Sequence, residues 1–263
     1  MISPKSLSNR ESTLLRKLGR TKHRKKEGLF LAEGERAITQ IIKNGSITIK
    51  TLFFDDSAEL WNTMQWSEQT EFYPARQVPH KEFITFADTQ NPQGILALCH
   101  IPEETTLEEL VSGSGVIVAC DAIQDPGNLG AIYRTAAWFG ASGIILGKGT
   151  VDLFNPKVVR STAGSTGTIP RISGELQNFL ELLESGGWKS YLLEFSAPAQ
   201  YLHTLDITNH SILVVGNEAN GISEEIISTN RTLAKIASPG NSEQVESLNA
   251  AVAFGIAIHH FTV

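Results

Sequence analysis

Residues 116–146 read VIVACDAIQDPGNLGAIYRTAAWFGASGIIL, and this stretch decides the fold. An apolar run at 116–120 is followed by a Pro-Gly turn, a helical pattern over 129–139 and a second apolar run at 143–146. Continuous apolar strands separated by a helix indicate a parallel sheet that is covered on both faces. The same alternation continues downstream, with predicted strands at 191–195 and 212–215 and predicted helices at 176–185 and 248–259. We therefore predict an α/β domain whose ligands lie beyond the carboxyl ends of its strands.

The first hundred residues predict a second, smaller α/β unit. Strand patterns occur at 28–33, 47–54 and 95–99, and a short amphipathic helix is predicted at 34–44. A Pro-, Gly- and Ser-containing stretch then separates this unit from the first predicted strand of the larger one. We predict domains over residues 1–105 and 115–263, joined by a linker at 106–114.

Composition limits the class of protein. The chain has 263 residues, of which 41% are apolar, which excludes wholesale disorder and allows one large or two smaller domains. It contains neither an apolar run long enough for a membrane span nor the apolar core of a signal peptide, so we expect a cytoplasmic protein. Its two cysteines cannot form a disulfide framework, and the histidines have no ligand spacing, so we expect no metal.

Charge is distributed very unevenly along the chain. The net charge of −6 combines +8 over residues 1–50 with −14 over the remainder. Seven cations fall within eleven residues: Arg16, Lys17, Arg20, Lys22, Arg24, Lys25 and Lys26. Such a patch suits a polyanion, although a solvated helical face remains an equal alternative for a charge run alone. Aromatic residues are not interleaved with these cations, which argues against base stacking on this stretch.

Polar residues follow the predicted strands at three places. Asn128 and Arg134 follow the first strand, where they either project toward a ligand or serve as a helix cap and an ion-pair partner. Glu218 follows the strand at 212–215 and is either a working carboxylate or a solvated turn residue. Ser247 and Asn249 precede the last helix, where an N-cap and a first-turn residue are the ordinary interpretation. Neither a GxGxxG fingerprint nor a phosphate-binding P-loop is present.

Taken together, these segments resemble a known family. DPGNLGAIYRTAAWFGASGIIL, VVGNEANGIS and ESLNAAVAFGIA resemble, in order, the three motifs of the SpoU (TrmH-type) RNA 2′-O-ribose methyltransferases of the SPOUT superfamily. The run RSTAGS at 160–165 resembles the segment that connects them. LRKLGRTKHRKKEGLFLAEGERAI resembles the start of the RNA-binding domain, related to a ribosomal-protein fold, that often precedes these catalytic domains.

The resemblance implies a fold, a cofactor and a set of partners. The catalytic domain is expected to contain a deep trefoil knot that binds S-adenosylmethionine, and the protein is expected to be a homodimer with an active site shared between subunits. The implied cofactor contacts are Val214, Gly216, Ile236 and Leu248. The implied RNA contacts are Lys17, Arg20, Lys22, Arg24, Lys25 and Lys26. Ribosomal RNA is favoured over transfer RNA as the substrate, by family analogy alone.

The same resemblance assigns roles in methyl transfer to a ribose 2′-hydroxyl. Arg134 matches the essential arginine of the first motif, and we interpret it as a phosphate clamp and electrostatic stabiliser because a guanidinium is a poor base. Asn128, Glu218, Ser247 and Asn249 are expected to order the site and the ribose. The third motif departs from the family pattern, since Ile-Pro-Met is missing and the loop at 237–246 is longer.

Three alternatives remain open from the sequence. One is methylation of transfer RNA, the second is a non-catalytic RNA-binding or ribosome-assembly protein on the same fold, and the third is a Rossmann-type enzyme using another nucleotide. We also expect Trp61, Trp66 and Phe72 to lie in the N-terminal core, and Trp138 and Phe139 to pack between helices.

Overall fold

The structure is a computed structural model that describes residues 4–194, 199–227, 230–238 and 247–263. The chain divides into two compact units. The first unit takes the chain as far as Pro102, together with Asp152–Thr168, and the second contains Glu103–Val151 and Ile169–Val263.

The described chain contains the following helices and strands, in sequence order. As far as Pro102 they are β1 (Lys5–Ser6), α1 (Asn9–Lys17), α2 (Thr21–Glu27), β2 (Leu29–Glu33), α3 (Glu35–Asn44), β3 (Ile49–Asp55), α4 (Met64–Phe72), β4 (Ala75–Val78), α5 (His80–Phe86) and β5 (Ile95–His100). Those that follow are α6 (Leu107–Ser112), β6 (Gly115–Cys120), α7 (Pro126–Trp138), β7 (Gly143–Gly147), α8 (Pro156–Ser161), β8 (Arg171–Gly174), α9 (Leu176–Ser185), β9 (Lys189–Leu193), β10 (Gln200–Tyr201), β11 (His210–Val215), β12 (Thr232–Lys235) and α10 (Ala250–Thr262).

The first unit is built on a mixed sheet with the strand order β1-β4-β3-β5-β2. Strand β5 runs antiparallel to both β2 and β3, whereas β3, β4 and β1 are mutually parallel. Leu15 and Leu18 pack with Phe53 and Phe83 in a core that covers one face of this sheet. The strands and the helix predicted from the sequence are confirmed here, and α3 is bounded by Gly34 and Gly45 as the pattern indicates.

Residues 152–168, which the sequence places in the catalytic domain, pack within the first unit. Helix α8 lies against β2, and the rings of Phe154 and Phe30 are 4.9 Å apart. The side chain of Asn44 donates to the carbonyl of Gly164 at 3.0 Å. Nothing in the hydrophobic pattern distinguishes this segment from its neighbours, so its packing could not be predicted.

Arg24 is buried at the centre of these contacts, with 1% of its surface exposed. Its guanidinium donates two hydrogen bonds to the carboxylate of Asp152, from Nη2 at 2.5 Å and from Nε at 2.9 Å. It also donates to the carbonyl of Leu18 at 2.7 Å and to the hydroxyl of Thr21 at 2.9 Å. The assignment of Arg24 as an RNA contact is therefore wrong, because the guanidinium is used inside the first unit.

The second unit is built on a seven-stranded sheet with the order β10-β12-β9-β11-β6-β7-β8. Every neighbouring pair is parallel, which confirms the predicted α/β domain with a parallel sheet. Its core includes Ile117, Ile145, Leu192 and Ile212. Because all seven strands point the same way, their carboxyl ends form one edge of the sheet.

Helices α7 and α10 run side by side in the same direction. The side chains of Asn128 and Asn249 are hydrogen-bonded near the helix starts, and the rings of Phe139 and His259 are 5.9 Å apart near the ends. At mid-length, a Cβ at Gly255 would lie in ordinary contact with the methyl group of Thr135, 4.0 Å away. The last helix therefore packs against α7 from its start to its end.

Several sequence predictions need correction. The predicted linker at 106–114 contains α6, which has a capping box at Thr106 and Glu109 and a buried Leu110. Strands β1, β4, β8, β10 and β12 were not predicted, since they are only two to four residues long.

The packing predicted for two aromatic residues is also wrong. Trp66 is buried as expected, but Phe72 and Trp138 are 76% and 84% exposed. Phe195, at the end of a predicted strand, and residues 239–246 of the third-motif loop lie outside the described residues. Among the described residues, no helix combines the length and the apolar character that crossing a bilayer requires.

Replacing Arg24 by Met is expected to destabilise the protein by about 3 kcal/mol, because it leaves the Asp152 carboxylate without its buried partner. Lys25→Met is the matched control, since Lys25 is exposed and its side chain makes no ion pair with the described residues. That change is expected to stay within about 0.5 kcal/mol. Urea unfolding measures both, and equal midpoints for the two variants would contradict the structural role of Arg24.

Candidate active site

Asn128 lies in the first turn of α7 and joins two other segments. Asp125 caps the helix by accepting a hydrogen bond from the backbone N–H of Asn128 at 2.7 Å, so the interpretation of Asn128 as the cap is wrong. The Asn128 amide is thereby free to bond elsewhere. Its Nδ2 donates to Oε1 of Glu218 at 2.7 Å, and its Oδ1 accepts from Nδ2 of Asn249 at 2.9 Å.

Asn249 is the N-cap of α10, a role that the sequence suggested for Ser247. Its Oδ1 accepts from the backbone N–H groups of Ala251 and Val252, at 3.0 and 3.2 Å. The same amide therefore fixes the start of the last helix with its oxygen and contacts Asn128 with its nitrogen. Ser247 is exposed two residues earlier and forms no hydrogen bond with the described residues. Asn128, Glu218 and Asn249 form one hydrogen-bonded chain, named here the Asn–Glu–Asn network.

The loop that carries Glu218 is closed on itself. The backbones of Asn217 and Gly221 exchange two hydrogen bonds, at 2.8 and 2.9 Å. The Asn217 side-chain oxygen accepts from the N–H groups of Ala219 and Asn220, at 2.9 and 3.1 Å, while its nitrogen donates to the carbonyl of Ala122 at 2.8 Å. Gly216 is required at the entrance, because a Cβ there would lie 2.4 Å from the carbonyl carbon of Gly221.

Asp121 supports the same loop from the end of β6. Its buried carboxylate accepts from the backbone N–H of Ser223 at 2.7 Å. Ala122, the next residue, has a φ of 52°, a strained value for a residue with a side chain. Burial raises the pKa of the neighbouring Cys120 thiol to about 12, with a further contribution from the negative charges of Asp121 and Glu218.

Asp121 and Asn217 also lie at this edge, although the sequence patterns did not predict them as site residues. Both stand directly at or beyond the end of a parallel strand, as the selected residues do. Position at a strand end was therefore the signal that would have found them.

Arg134 stands apart from the Asn–Glu–Asn network. Six residues of α-helix rotate a side chain through about 600°, so Arg134 lies on a different side of α7 from Asn128. It is exposed, and its guanidinium forms no hydrogen bond or ion pair with the described residues. The alternative that Arg134 pairs with a carboxylate therefore finds no support in the part of the chain that the structure describes.

The four residues implied as cofactor contacts differ in their availability. Val214 lies inside β11, paired with Ala119 and Leu192, and its side chain belongs to the core, so the side chain cannot contact a cofactor. Gly216 lies just beyond the end of β11 and Ile236, half-buried, just beyond β12. Leu248 is exposed next to Asn249.

The predicted RNA-binding residues lie on and between α1 and α2. Five of the six are exposed and form no ion pair with the described residues: Lys17, Arg20, Lys22, Lys25 and Lys26. Arg24 is the exception described above. Arg16, although part of the same charge run, pairs with Glu82 at 3.0 Å and lies over the ring of Phe86.

Known proteins share both the sequence and the fold. The sequence model of the SpoU rRNA Methylase family matches residues 115–259, and the MRM3-like substrate binding domain matches residues 9–97. The chain is 32% identical over 257 residues to the 23S rRNA (guanosine(2553)-2′-O)-methyltransferase RlmP of Bacillus subtilis, with 97% of each chain covered. It is 26% identical to the 23S rRNA (uridine(2479)-2′-O)-methyltransferase of Streptomyces viridochromogenes, with 90% and 84% covered.

A solved structure confirms the likeness in three dimensions. The AdoMet-bound rRNA methyltransferase from Sinorhizobium meliloti superimposes with a TM-score of 0.82 at 30% identity, covering 98% of this chain and 95% of that one. The three segments that meet in the Asn–Glu–Asn network lie within the matched range of the family model. The chain belongs to the SpoU rRNA methylase family.

Proposed function

We propose that this protein transfers a methyl group from S-adenosylmethionine to a ribose 2′-hydroxyl in ribosomal RNA. The Asn–Glu–Asn network is the observation that carries the proposal, because it joins the three segments that resemble the family motifs at the carboxyl edge of the sheet. Two relatives that match over most of their length are named as 23S rRNA 2′-O-methyltransferases.

The residues at this edge fit the cofactor chemically. An adenosyl group requires apolar surface for its base and polar backbone atoms for its edges. Ile236 and the exposed Leu248 supply the first, and the backbone of the loop that starts at Gly216 supplies the second. Val214 supports the cofactor site as part of strand β11, and its side chain does not contact the cofactor. Bound S-adenosylmethionine supplies an electrophilic methyl group at its sulfonium sulfur.

Each polar residue in and beside the network has a role in positioning the ribose. Asn128 occupies Oε1 of Glu218, whereas Oε2 accepts no hydrogen bond from the described residues and can receive the 2′-hydroxyl. Asn249 fixes the orientation of the Asn128 amide. Ser247, exposed beside the network, supplies a further hydroxyl for substrate contact. Holding the hydroxyl in one place lowers the entropic cost of an in-line displacement.

RNA binding is assigned to the first unit and catalysis to residues 115–263. The five exposed cations of α1 and α2 form a patch that suits a phosphate backbone. An MRM3-like substrate binding domain matches the same region, which supports this division. The relatives named as 23S rRNA methyltransferases favour ribosomal over transfer RNA.

The trefoil knot of the family is also part of the proposal. Strand β12 lies between β9 and β10, although it follows both in sequence. A later strand therefore lies between two earlier ones, and α10 contacts both β11 and the short helix Leu202–Thr204. This interleaving supports a chain threaded through its own loop.

A homodimer explains the surface of α7 and α10. Trp138 is 84% exposed on α7, and Val252 and Ile256 are exposed on the neighbouring α10. Exposed apolar side chains on two neighbouring helices are typical of a protein–protein interface when they form one patch. Arg134 lies one turn from Trp138, so we assign it to the partner subunit's active site, as clamp and electrostatic stabiliser.

In vitro transcribed 23S rRNA, which carries no modification, is expected to accept one methyl group per molecule from labelled S-adenosylmethionine. Nuclease mapping is expected to place that group on a single ribose 2′-oxygen.

Asn128→Ala is expected to lower the single-turnover rate at least tenfold, because the Glu218 carboxylate loses its hydrogen-bond donor. Label on transfer RNA alone would reassign the substrate. A lack of transfer to either RNA, together with retained RNA binding, would favour the non-catalytic alternative.

Gly216→Ala is expected to weaken S-adenosylmethionine binding at least tenfold, because its Cβ would displace the loop that closes at Gly221. Gly19→Ala is the matched control, since the nearest atom to a Cβ there is 3.9 Å away. Titration calorimetry measures both affinities. Equal affinities for the two variants would exclude the Gly216 loop from the cofactor site.

Mixing two inactive variants tests the shared site. Arg134→Ala and Glu218→Ala homodimers are each expected to be nearly inactive, whereas a mixture exchanged under mild denaturant is expected to recover about a quarter of wild-type activity. That recovery requires Arg134 and Glu218 of one intact site to come from different subunits. An Arg134→Ala, Glu218→Ala double variant mixed with wild type provides the control, because its heterodimers contain no intact site. An inactive mixture of the two single variants would place both residues in the same subunit.

A further inference from the structure

An aromatic and basic cluster lies at the outer edge of the second unit's sheet. The rings of Tyr201 and His203 are stacked, with centroids 5.6 Å apart and planes inclined by 20°. The Lys235 ammonium lies over the Tyr201 ring, 4.8 Å from its centroid. The contact follows from strand pairing, since Tyr201 and Lys235 are direct neighbours in the parallel β10–β12 register. We name these three residues the edge cluster.

The edge cluster is anchored at Leu202 but is not buried. Leu202, between the two stacked residues, is packed in the protein interior, which fixes the backbone on both sides of it. Tyr201 is nevertheless 46% exposed and His203 is exposed. The Tyr201 hydroxyl forms no hydrogen bond with the described residues. A stacked aromatic pair that faces solvent on a fixed backbone presents π surface at little entropic cost to a ligand.

The position of the edge cluster relates it to the Asn–Glu–Asn network. Tyr201 and Lys235 are the last residues of β10 and β12, so they lie at the same carboxyl edge as Gly216 at the end of β11. Strand β10 is three strand spacings from β11, or about 14 Å at the usual separation. Lys235 also directly precedes Ile236, a proposed cofactor contact.

We propose that the edge cluster binds an unpaired base of the RNA substrate beside the methylated nucleotide. A base stacks on the exposed ring of His203, which Tyr201 supports from behind, and the Lys235 ammonium over the Tyr201 ring contacts the adjoining phosphate. Aromatic side chains combined with a cation are the combination by which proteins hold single-stranded RNA. The α1 and α2 patch has cations without aromatic residues and binds the backbone, whereas the edge cluster supplies the stacking which that patch lacks.

This inference rests on the proposed function. Two measurements distinguish a failure of this inference from a failure of the proposed function. The first is single-turnover methylation of unmodified 23S rRNA as a function of RNA concentration. Tyr201→Leu is expected to raise the half-saturating RNA concentration about 5- to 100-fold, the usual effect of losing one base–aromatic stack. The rate at saturation and the affinity for S-adenosylmethionine are expected to be unchanged. Tyr201→Phe keeps the ring and is expected to remain within twofold of wild type.

Two further variants complete the series. Lys235→Gln is expected to weaken RNA binding and to reduce its salt dependence, because one phosphate contact is lost. Leu182→Ala is the surface control, an exposed apolar residue on α9 of the same unit. Thermal unfolding of each variant verifies that the fold is intact.

The second measurement does not depend on methylation. A single-stranded RNA decamer containing 2-aminopurine is titrated with the full-length protein, and stacking is expected to quench its fluorescence with wild type and with Tyr201→Phe but not with Tyr201→Leu. Equal quenching by wild type and Tyr201→Leu, or an unchanged half-saturating RNA concentration for Tyr201→Leu, would overturn the proposal. Quenching that depends on Tyr201, in the absence of any methyl transfer, would support the edge cluster while refuting the proposed function.

Discussion

The parallel direction of all seven strands in the second unit is the constraint on which its active site depends. Parallel strands bring their carboxyl ends to one edge, so segments that follow β6, β11 and β12 meet there although they are far apart in sequence. The bonds from Asn128 to Glu218 and to Asn249 join residues separated by 90 and 121 positions. The sheet supplies proximity, and two side-chain amides turn that proximity into a defined geometry.

A layer of backbone contacts behind the Asn–Glu–Asn network fixes where Glu218 lies. Asn217 uses both atoms of its amide and both of its backbone polar groups within the loop or on Ala122. Asp121 ties the far end of the loop to β6 through Ser223. An exposed carboxylate on a free loop would sample many orientations, whereas this one starts from a backbone that is bonded on both sides. The cost of ordering it is met during folding rather than during substrate binding.

The elements predicted best from sequence were those with long, strongly periodic apolar patterns. Strands β6, β7 and β11 and helices α3 and α9 were predicted because their buried residues form a clear apolar pattern in the sequence. Strands β10 and β12 show no such pattern, since two to four residues are too few to reveal a period. The edge cluster that they form therefore could not be read from sequence.

The wrong predictions for individual side chains also concern features that leave no pattern in the sequence. Arg24 and Lys25 are adjacent cations in one helix, yet one is buried against Asp152 and the other is exposed. Only the tertiary packing of residues 152–168 distinguishes the environments of these two cations. Asn249 rather than Ser247 caps α10 because the helix begins at Ala250, and the same amide also donates to Asn128.

Trp138 and Arg134 lie together on the exposed side of α7. A tryptophan left in solvent and an arginine without a bonding partner among the described residues lie one turn apart on the same helix. Helix geometry places Arg134 on a different side of α7 from Asn128, and within the described chain its guanidinium forms no hydrogen bond with the Asn–Glu–Asn network. A second copy packed on this face would cover the tryptophan and deliver the arginine in one association. Under the proposed dimer, burial of apolar surface and completion of the active site are therefore the same event, and activity becomes a property of the assembled pair.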